Sequence, residues 1–410
     1  MWIYYFACCL LTRNFDNILM QTKYFTIVGK TLSGLEESLI SELQESGIHA
    51  EPLNRAVLFR GTTEILYRAN YSSRLALRFL VQIAAFEVRT QQDLYEGITG
   101  LPWEDHFSAD QTFIVDAVLS GSVFSNSLFA AQKAKDAIAD RFRSHFGKRP
   151  SVDLENPDLR IHIHLAKEQC TVFLDSSGTS LHKRGYRRRQ GEAPLSEVLA
   201  AGMIRLSGWD ASTPFYDPMC GSGTLPVEAA MLASRTPAGF FRKEFALMKW
   251  RDFSDELWKR IRSEADSRIQ SVTIPIIGSD KSRTAIEAAR NNLRTTHLDP
   301  WIRFSVSNFH ATKPPFGTGL MIMNPPYDER IRVDDVIAFH RSLGNTLKHL
   351  YTGWQAWIIS ADLNAMKFIG LKPFSGFTLF NGPLECRFAG YRLYEGRGIR
   401  KEKDKPFQSE

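Results

Sequence analysis

Cysteine is scarce in this chain: Cys8, Cys9, Cys170, Cys220 and Cys386 are the only five in 410 residues. An odd, scattered set excludes the paired framework of a small secreted domain, and apart from the adjacent Cys8–Cys9 no two have zinc-ligand spacing. The thiols read as reduced and the protein as cytoplasmic, with every cysteine but Cys220 taken as a small buried apolar group. Long hydrophobic runs are missing as well. Met1 to Leu11 is apolar, but a membrane-spanning helix needs roughly 20 such residues, and Met1-Trp2-Ile3-Tyr4 lacks the positive start of a secretory signal. Residues 1–19 read as an extension, expected to be disordered, ahead of a folded pattern that begins after Met20. There is no internal repeat or low-complexity stretch. Neither sign of charge dominates: 51 Lys and Arg against 45 Asp and Glu leave a net +6, a mild lean toward a polyanionic partner. At 410 residues the chain exceeds one ordinary core, so two or three domains are expected.

The pattern along the chain divides accordingly. Residues 20–85 alternate strand and helix signals, with Ser33 and Glu36 spaced as a capping box and Ala56–Arg60 and Leu75–Phe86 strand-like. Residues 86–180 form a second α+β unit. Its helix over Leu128–Phe146 places Leu128, Ala131, Ile138, Phe142 and Phe146 near one face and Lys133, Lys135, Arg141 and Arg143 on the other. Ile161, Ile163 and Leu165 alternate with His162 and His164, which predicts a half-buried strand with both histidines on its solvent face rather than on a metal. Residues 181–193 are a basic linker. Lys183, Arg184, Arg187, Arg188 and Arg189 fall within His182–Arg189, with Tyr186 embedded. A solvated charge run is one reading; a strap that contacts RNA phosphates is the favoured one. Residues 194–395 read as alternating strands and helices, interrupted by a Phe-, Trp- and Arg-rich helical excursion over 236–273 whose aromatics are expected in a core. Asn381-Gly382 between two β-rich runs predicts a terminal hairpin. Residues 396–410 are a charged tail.

Four strand-end motifs carry the chemistry. Asp217-Pro218-Met219-Cys220-Gly221-Ser222-Gly223-Thr224 follows a strand and opens a helix. Glycines there let backbone approach a ligand, the helix start offers N–H groups to a carboxylate, and Asp217 can accept from an ammonium group. Asp280, with Lys281, ends the next strand. A carboxylate at that point suits two ribose hydroxyls, although a plain helix cap is the alternative. Asn308 and Phe309 follow a third strand, where Asn308 can accept from an adenine amino group through its side-chain oxygen or can simply be a loop residue. Asn324-Pro325-Pro326-Tyr327 follows Leu320–Met323. An exocyclic amine has a lone pair delocalised into its ring. The Asn324 oxygen and the Pro325 carbonyl can accept from it and favour a more tetrahedral nitrogen. Tyr327 can stack on a flipped base.

Together with Leu384-Glu385-Cys386-Arg387 and Leu181–Arg187, these motifs resemble the THUMP-domain class I RNA methyltransferases, nearest the RlmL-type branch that makes N2-methylguanine in 23S ribosomal RNA. The resemblance covers roughly Met20 to Glu395. It implies a ferredoxin-like domain over 20–85, a THUMP RNA-binding domain over 86–180 and a Rossmann-like α/β methyltransferase domain over 194–395. It also implies S-adenosyl-L-methionine as cofactor, no metal, and ribosomal or transfer RNA as partner. Asp328 stands where relatives often carry glycine, and Asn308 replaces the usual acid. A guanine-N2 enzyme of transfer RNA, a DNA amino-methyltransferase and a non-catalytic RNA-binding factor remain as alternatives.

Overall fold

A computed structural model describes residues 23–187, 195–294, 296–325 and 333–394. They divide into two compact units. The first holds the described residues up to 187 with Ser196–Gly202 and Ser234–Ser271; the second holds Met203–Ala233 and the described residues from Val272 onward.

The strands of the first unit are β1 (Phe25–Lys30), β2 (Ala50–Leu53), β3 (Ala56–Gly61), β4 (Arg78–Glu87), β5 (Thr112–Ser120), β6 (Ser151–Val152), β7 (Leu159–Ala166) and β8 (Gln169–Asp175). They form one eight-stranded sheet, ordered β2-β3-β1-β4-β8-β7-β5-β6. Antiparallel pairing of β4 with β8, Leu80 opposite Asp175, fuses the two α+β patterns into that single sheet. Alternation along β7 buries Leu159, Ile161, Ile163 and Leu165 and leaves His162 and His164 half-buried on the opposite face. His162 there lies 3.4 Å from the buried Asp175 carboxylate, which Arg78 also bonds.

Helices α1 (Glu36–Glu45), α2 (Thr63–Ser72), α3 (Gln91–Thr99) and α4 (Ser127–Phe146) complete this unit's front portion. In α4, Asn126 caps the Phe129 N–H at 3.1 Å, and Gly147 closes the far end in the left-handed region, as helix ends demand. Ala131, Ile138 and Phe142 are buried as expected, but Leu128 and Phe146 are 65% and 55% exposed; they occupy the first and last turns, outside the packed middle. The Ser33 capping box does not form. The residue before α1 is Leu35, and the Glu36 carboxylate instead accepts from Gly34 N at 2.8 Å and Arg55 N at 3.0 Å. A reciprocal box appears at Thr90 and Asp93.

The excursion Ser234–Ser271 belongs to the first unit's core. Phe245, Leu247, Trp258 and Ile261 are buried with Tyr67 and Tyr71, and Trp258 meets both tyrosine rings edge-on at 5.6 and 5.7 Å. Phe245 and Trp258 are core residues, as the composition implies, but in the front unit rather than in the sheet whose sequence they interrupt, while Phe240 and Phe241 stay half-buried.

The second unit contains β9 (Phe215–Asp217), β10 (Ile276–Asp280), β11 (Ile302–Val306), β12 (Gly319–Met323), β13 (Trp354–Ser360), β14 (Ser375–Asn381) and β15 (Leu384–Arg392). Their order is β11-β10-β9-β12-β13-β15-β14. Strands β9 to β13 are parallel, and β15 runs antiparallel to both β13 and β14. Asn381 pairs with Leu384 around Gly382, so the terminal hairpin forms where the sequence places it. This is the Rossmann-like sheet the resemblance implies. Helix α5 (Thr224–Ala233) is apolar almost all round and correspondingly buried; α6 (Arg283–Leu293) and α7 (Val333–Leu350) follow β10 and β12. The connection order reverses between β9 and β12, and ligands of open α/β sheets bind outside the carboxyl ends at such a switch point.

Candidate active site

Three motif loops leave neighbouring strands at that edge. The loop after β9 is tied to the loop after β10. Gly221 N donates to Asp280 Oδ2 at 3.0 Å, Ser282 N donates to Asp280 Oδ1 at 2.8 Å, and Cys220 N donates to the Ser279 carbonyl at 2.9 Å. Asp280 thus anchors the glycine loop and braces the turn before α6, but the N-cap of that helix is Ser282 rather than Asp280. Gly221 and Gly223 have φ of +50° and +86°. At Gly223 a Cβ would also stand 2.7 Å from Phe304 Cζ and 3.1 Å from Ala289 Cβ. Only glycine fits both the conformation and the space. Ser222 and Thr224 complete the turn, and Thr224 starts α5. Pro218 is buried and Lys281 exposed.

Asp217 is 2% exposed. Its Oδ1 accepts from Met219 N at 3.1 Å, while its second oxygen has no hydrogen bond among the described residues. Burial pushes this carboxyl well above the usual range; the Met219 bond opposes that, and the nearby Asp280 adds to it. Burial likewise drives the Cys220 thiol far up, so this cysteine is no nucleophile at neutral pH. A buried carboxylate short of partners favours a cationic ligand group. The ammonium of a methionine-derived donor is one, and the residues present therefore fit S-adenosylmethionine.

After β11, Ser307 N donates to the Asp280 carbonyl at 2.9 Å, joining the third loop to the second. Phe309 is buried and stacks on Tyr351 at 5.2 Å, and Tyr351 stacks in turn on Tyr216. Asn308 Oδ1 accepts from His310 N at 3.1 Å. Its oxygen therefore already caps a backbone turn, unlike the free acceptor expected from sequence. The loop after β12 starts beside the glycine loop, because β12 pairs with β9 through Leu320–Phe215 and Met321–Tyr216. Asn324 is half-buried and Pro325 buried; Pro326, Tyr327 and Asp328 lie outside the described residues.

Three supporting residues escape a sequence reading. Tyr216 and Ser279 share a hydroxyl hydrogen bond of 2.8 Å beneath the loops. Asn292 Nδ2 donates to the Ser222 carbonyl at 3.2 Å. A signal for Asn292 exists: an amide beside the apolar stripe Ile286, Ala289 and Leu293.

The basic strap departs from expectation. Arg184 is 1% exposed and donates to the carbonyls of Leu181 and Arg74 at 2.9 and 2.5 Å. Arg187 pairs with Glu197 at 3.2 Å with both side chains largely buried. Tyr186 is buried edge-on against Phe241. Arg184 is thus a structural residue and no phosphate contact, since its donors are used by the chain. Lys183 is exposed; Arg188 and Arg189 lie outside the described residues. Burial, with the surrounding cations, pulls His182 down to about 4. Among the described residues no cluster of three His, Cys, Asp or Glu could hold a metal ion, and no helix is long and apolar enough to cross a membrane.

Three family models match in sequence: an RlmL ferredoxin-like domain over residues 26–80, a THUMP domain over 88–175, and an RMKL-like methyltransferase domain over 184–389. The chain is 39% identical over 371 residues to the ribosomal RNA large subunit methyltransferase K/L of Psychromonas ingrahamii, covering 88% of this chain but 49% of that protein. It is 36% identical to slr0064 of Synechocystis, an RNA methyltransferase by name, covering 90% of this chain and 97% of that one. The chain therefore spans about half the length of the K/L relative and nearly all of the Synechocystis one. The crystal structure of SMU.472, complexed with S-adenosylhomocysteine, superposes with a TM-score of 0.83 at 30% identity over 92% of this chain and all of that one. With matches to all three domain models and near-full-length likeness to the shorter relative, the chain belongs to the RMKL-like methyltransferases, S-adenosylmethionine-dependent enzymes that here follow ferredoxin-like and THUMP domains.

Proposed function

We propose that this chain methylates the exocyclic N2 of a guanine in large-subunit ribosomal RNA, with the base flipped into a pocket formed by Asn324, Pro325, Pro326 and Tyr327. The observation that carries the reading is the adjacency of the two loops: β12, which leads into Asn324 and Pro325, pairs in parallel with β9, which leads into the glycine loop. When bound, the donor supplies an electrophilic methyl group. Asp217, Gly221, Ser222, Gly223 and Thr224 would hold its amino-acid end, Asp280 its ribose, and the Asn308–Phe309 loop its base. The Asn324 side-chain oxygen and the Pro325 carbonyl would accept from the target amino group and turn its lone pair toward the methyl. No strong general base is needed, because the proton leaves after transfer. The THUMP domain supports an RNA substrate, and the likeness to the K/L proteins, named for large-subunit ribosomal RNA, favours ribosomal over transfer RNA.

Asn324→Ala should cut turnover by at least ~10²-fold, as loss of one oriented electrostatic contact does, with S-adenosylhomocysteine affinity unchanged. Near-normal turnover would remove Asn324 from the chemistry. Nucleoside mass spectrometry of ribosomal and transfer RNA from cells lacking the gene should show N2-methylguanine lost from the large-subunit RNA; loss from transfer RNA alone would move the substrate.

A further inference from the structure

Strand order fixes where the parts of an extended adenosyl ligand can lie. The loops after β9, β10 and β11 are consecutive along one sheet edge, at intervals of about 4.8 Å. With the amino-acid end at the glycine loop and the ribose at Asp280, the base falls against Asn308. What Asn308 offers that base is settled by its own backbone. A main-chain N–H can only donate, so the amide must turn Oδ1 toward His310 N. The Asn308 carbonyl is occupied too, by Ala311 N at 3.0 Å and Thr312 Oγ1 at 2.6 Å. The His310 ring is held by Thr346 Oγ1 at 3.0 Å and Ser342 Oγ at 3.2 Å, which fixes the turn. The group left without a hydrogen bond among the described residues is Nδ2, a donor. An aspartate at the same point could cap with one oxygen and accept from the adenine 6-amino group with the other. Asparagine presents that amino group with donor against donor.

We infer that Asn308 reads the adenine of the methyl donor as a hydrogen-bond donor, its Nδ2–H meeting the ring nitrogen N1 rather than accepting from the 6-amino group. The inference rests on the donor site proposed above. Calorimetry with three ligands tests it: S-adenosylhomocysteine, its 1-deaza analogue, which replaces N1 with CH, and its purine analogue, which lacks the 6-amino group. Wild type should bind the 1-deaza analogue about 10-fold more weakly than S-adenosylhomocysteine, as loss of one such bond costs, and the purine analogue within about threefold. Asn308→Asp, which keeps the cap, should reverse the order and become sensitive to the 6-amino group. In Asn308→Ala the 1-deaza penalty should vanish. A wild-type loss that follows the 6-amino group, or a 1-deaza penalty that persists in Asn308→Ala, overturns the inference while leaving the donor site standing. Failure of S-adenosylhomocysteine itself to bind overturns both.

Discussion

Each unit buries an ionisable group, and each treats it differently. In the first, the Arg242 guanidinium donates to the carbonyls of Lys183, Thr179 and Ser180 at 2.8, 2.9 and 3.1 Å, with a further bond to Ser177, and lies over the Phe245 ring at 4.9 Å. Burial, with Arg184 nearby, lowers its pKa to about 10, which still leaves it charged at neutral pH. In the second, Asp217 has a single backbone N–H and one oxygen unserved. Burying a charge is costly unless its hydrogen bonds are met. Where the chain meets them, as around Arg242, the charge fastens segments together. Where it leaves them short, a ligand of opposite charge completes the set.

The contrast can be broken most severely at Arg242. Arg242→Met keeps the stem but strips several carbonyls of their donor, and should destabilise the first unit by about 3 kcal/mol or more, with Arg242→Lys recovering part. Urea unfolding of the full chain, with hydrogen exchange at the first unit's core amides to separate it from the second, measures this; a loss under about 1 kcal/mol would mean that the cage holds little. At Asp217 the effect should appear in binding instead. Asp217→Asn should weaken S-adenosylhomocysteine about 10-fold or more without lowering stability, since the burial that raises the Asp217 pKa disfavours its charged form. The sign of the pH dependence follows. Below its raised pKa the free protein holds a proton on Asp217. The ligand ammonium favours the carboxylate, so binding releases that proton, and affinity should climb with pH from the ordinary carboxylate range through the raised value. Calorimetry across pH in two buffers reads both affinity and proton release; a flat wild-type profile matching that of Asp217→Asn would refute the pairing. The smallest effect belongs to the strap. Lys183→Ala should lower the salt slope of RNA binding by ~0.7–0.9, and an unchanged slope would take Lys183 off the phosphate backbone.

Much of the second unit was legible in sequence because its signals are local. The Asp217–Thr224 turn needs glycines at positive φ, the Asn381-Gly382 turn sets its hairpin, and Asp280 ends a short apolar strand. What escaped depends on partners distant in sequence. Nothing near Arg184 announces that the carbonyls of Leu181 and Arg74 await it, so a basic run read as surface. Ser33 and Glu36 have capping-box spacing, but the backbone of Arg55 competes for the glutamate. Asn308 could be recognised as an acceptor, not as one already engaged by the residue two places on. The joining of β4 to β8 is invisible to any window of sequence, since either strand alone reads the same as an edge.

The excursion Ser234–Ser271 bears on how this protein is born. Tyr71 bonds Asp266 across 195 residues, and Trp258 and Ile261 fill the core laid down by Tyr67 and Leu66. A nascent chain emerges at roughly 5–20 residues per second and its domains ordinarily fold in order of synthesis. Here the front unit lacks part of its interior until the segment after α5 has cleared the ribosome, by which time β9 and α5 of the second sheet are already outside and waiting for β10. The two units therefore mature in overlapping rather than successive windows, and a chain cut at residue 187 would expose the apolar bed that Phe245, Leu247 and Trp258 normally cover.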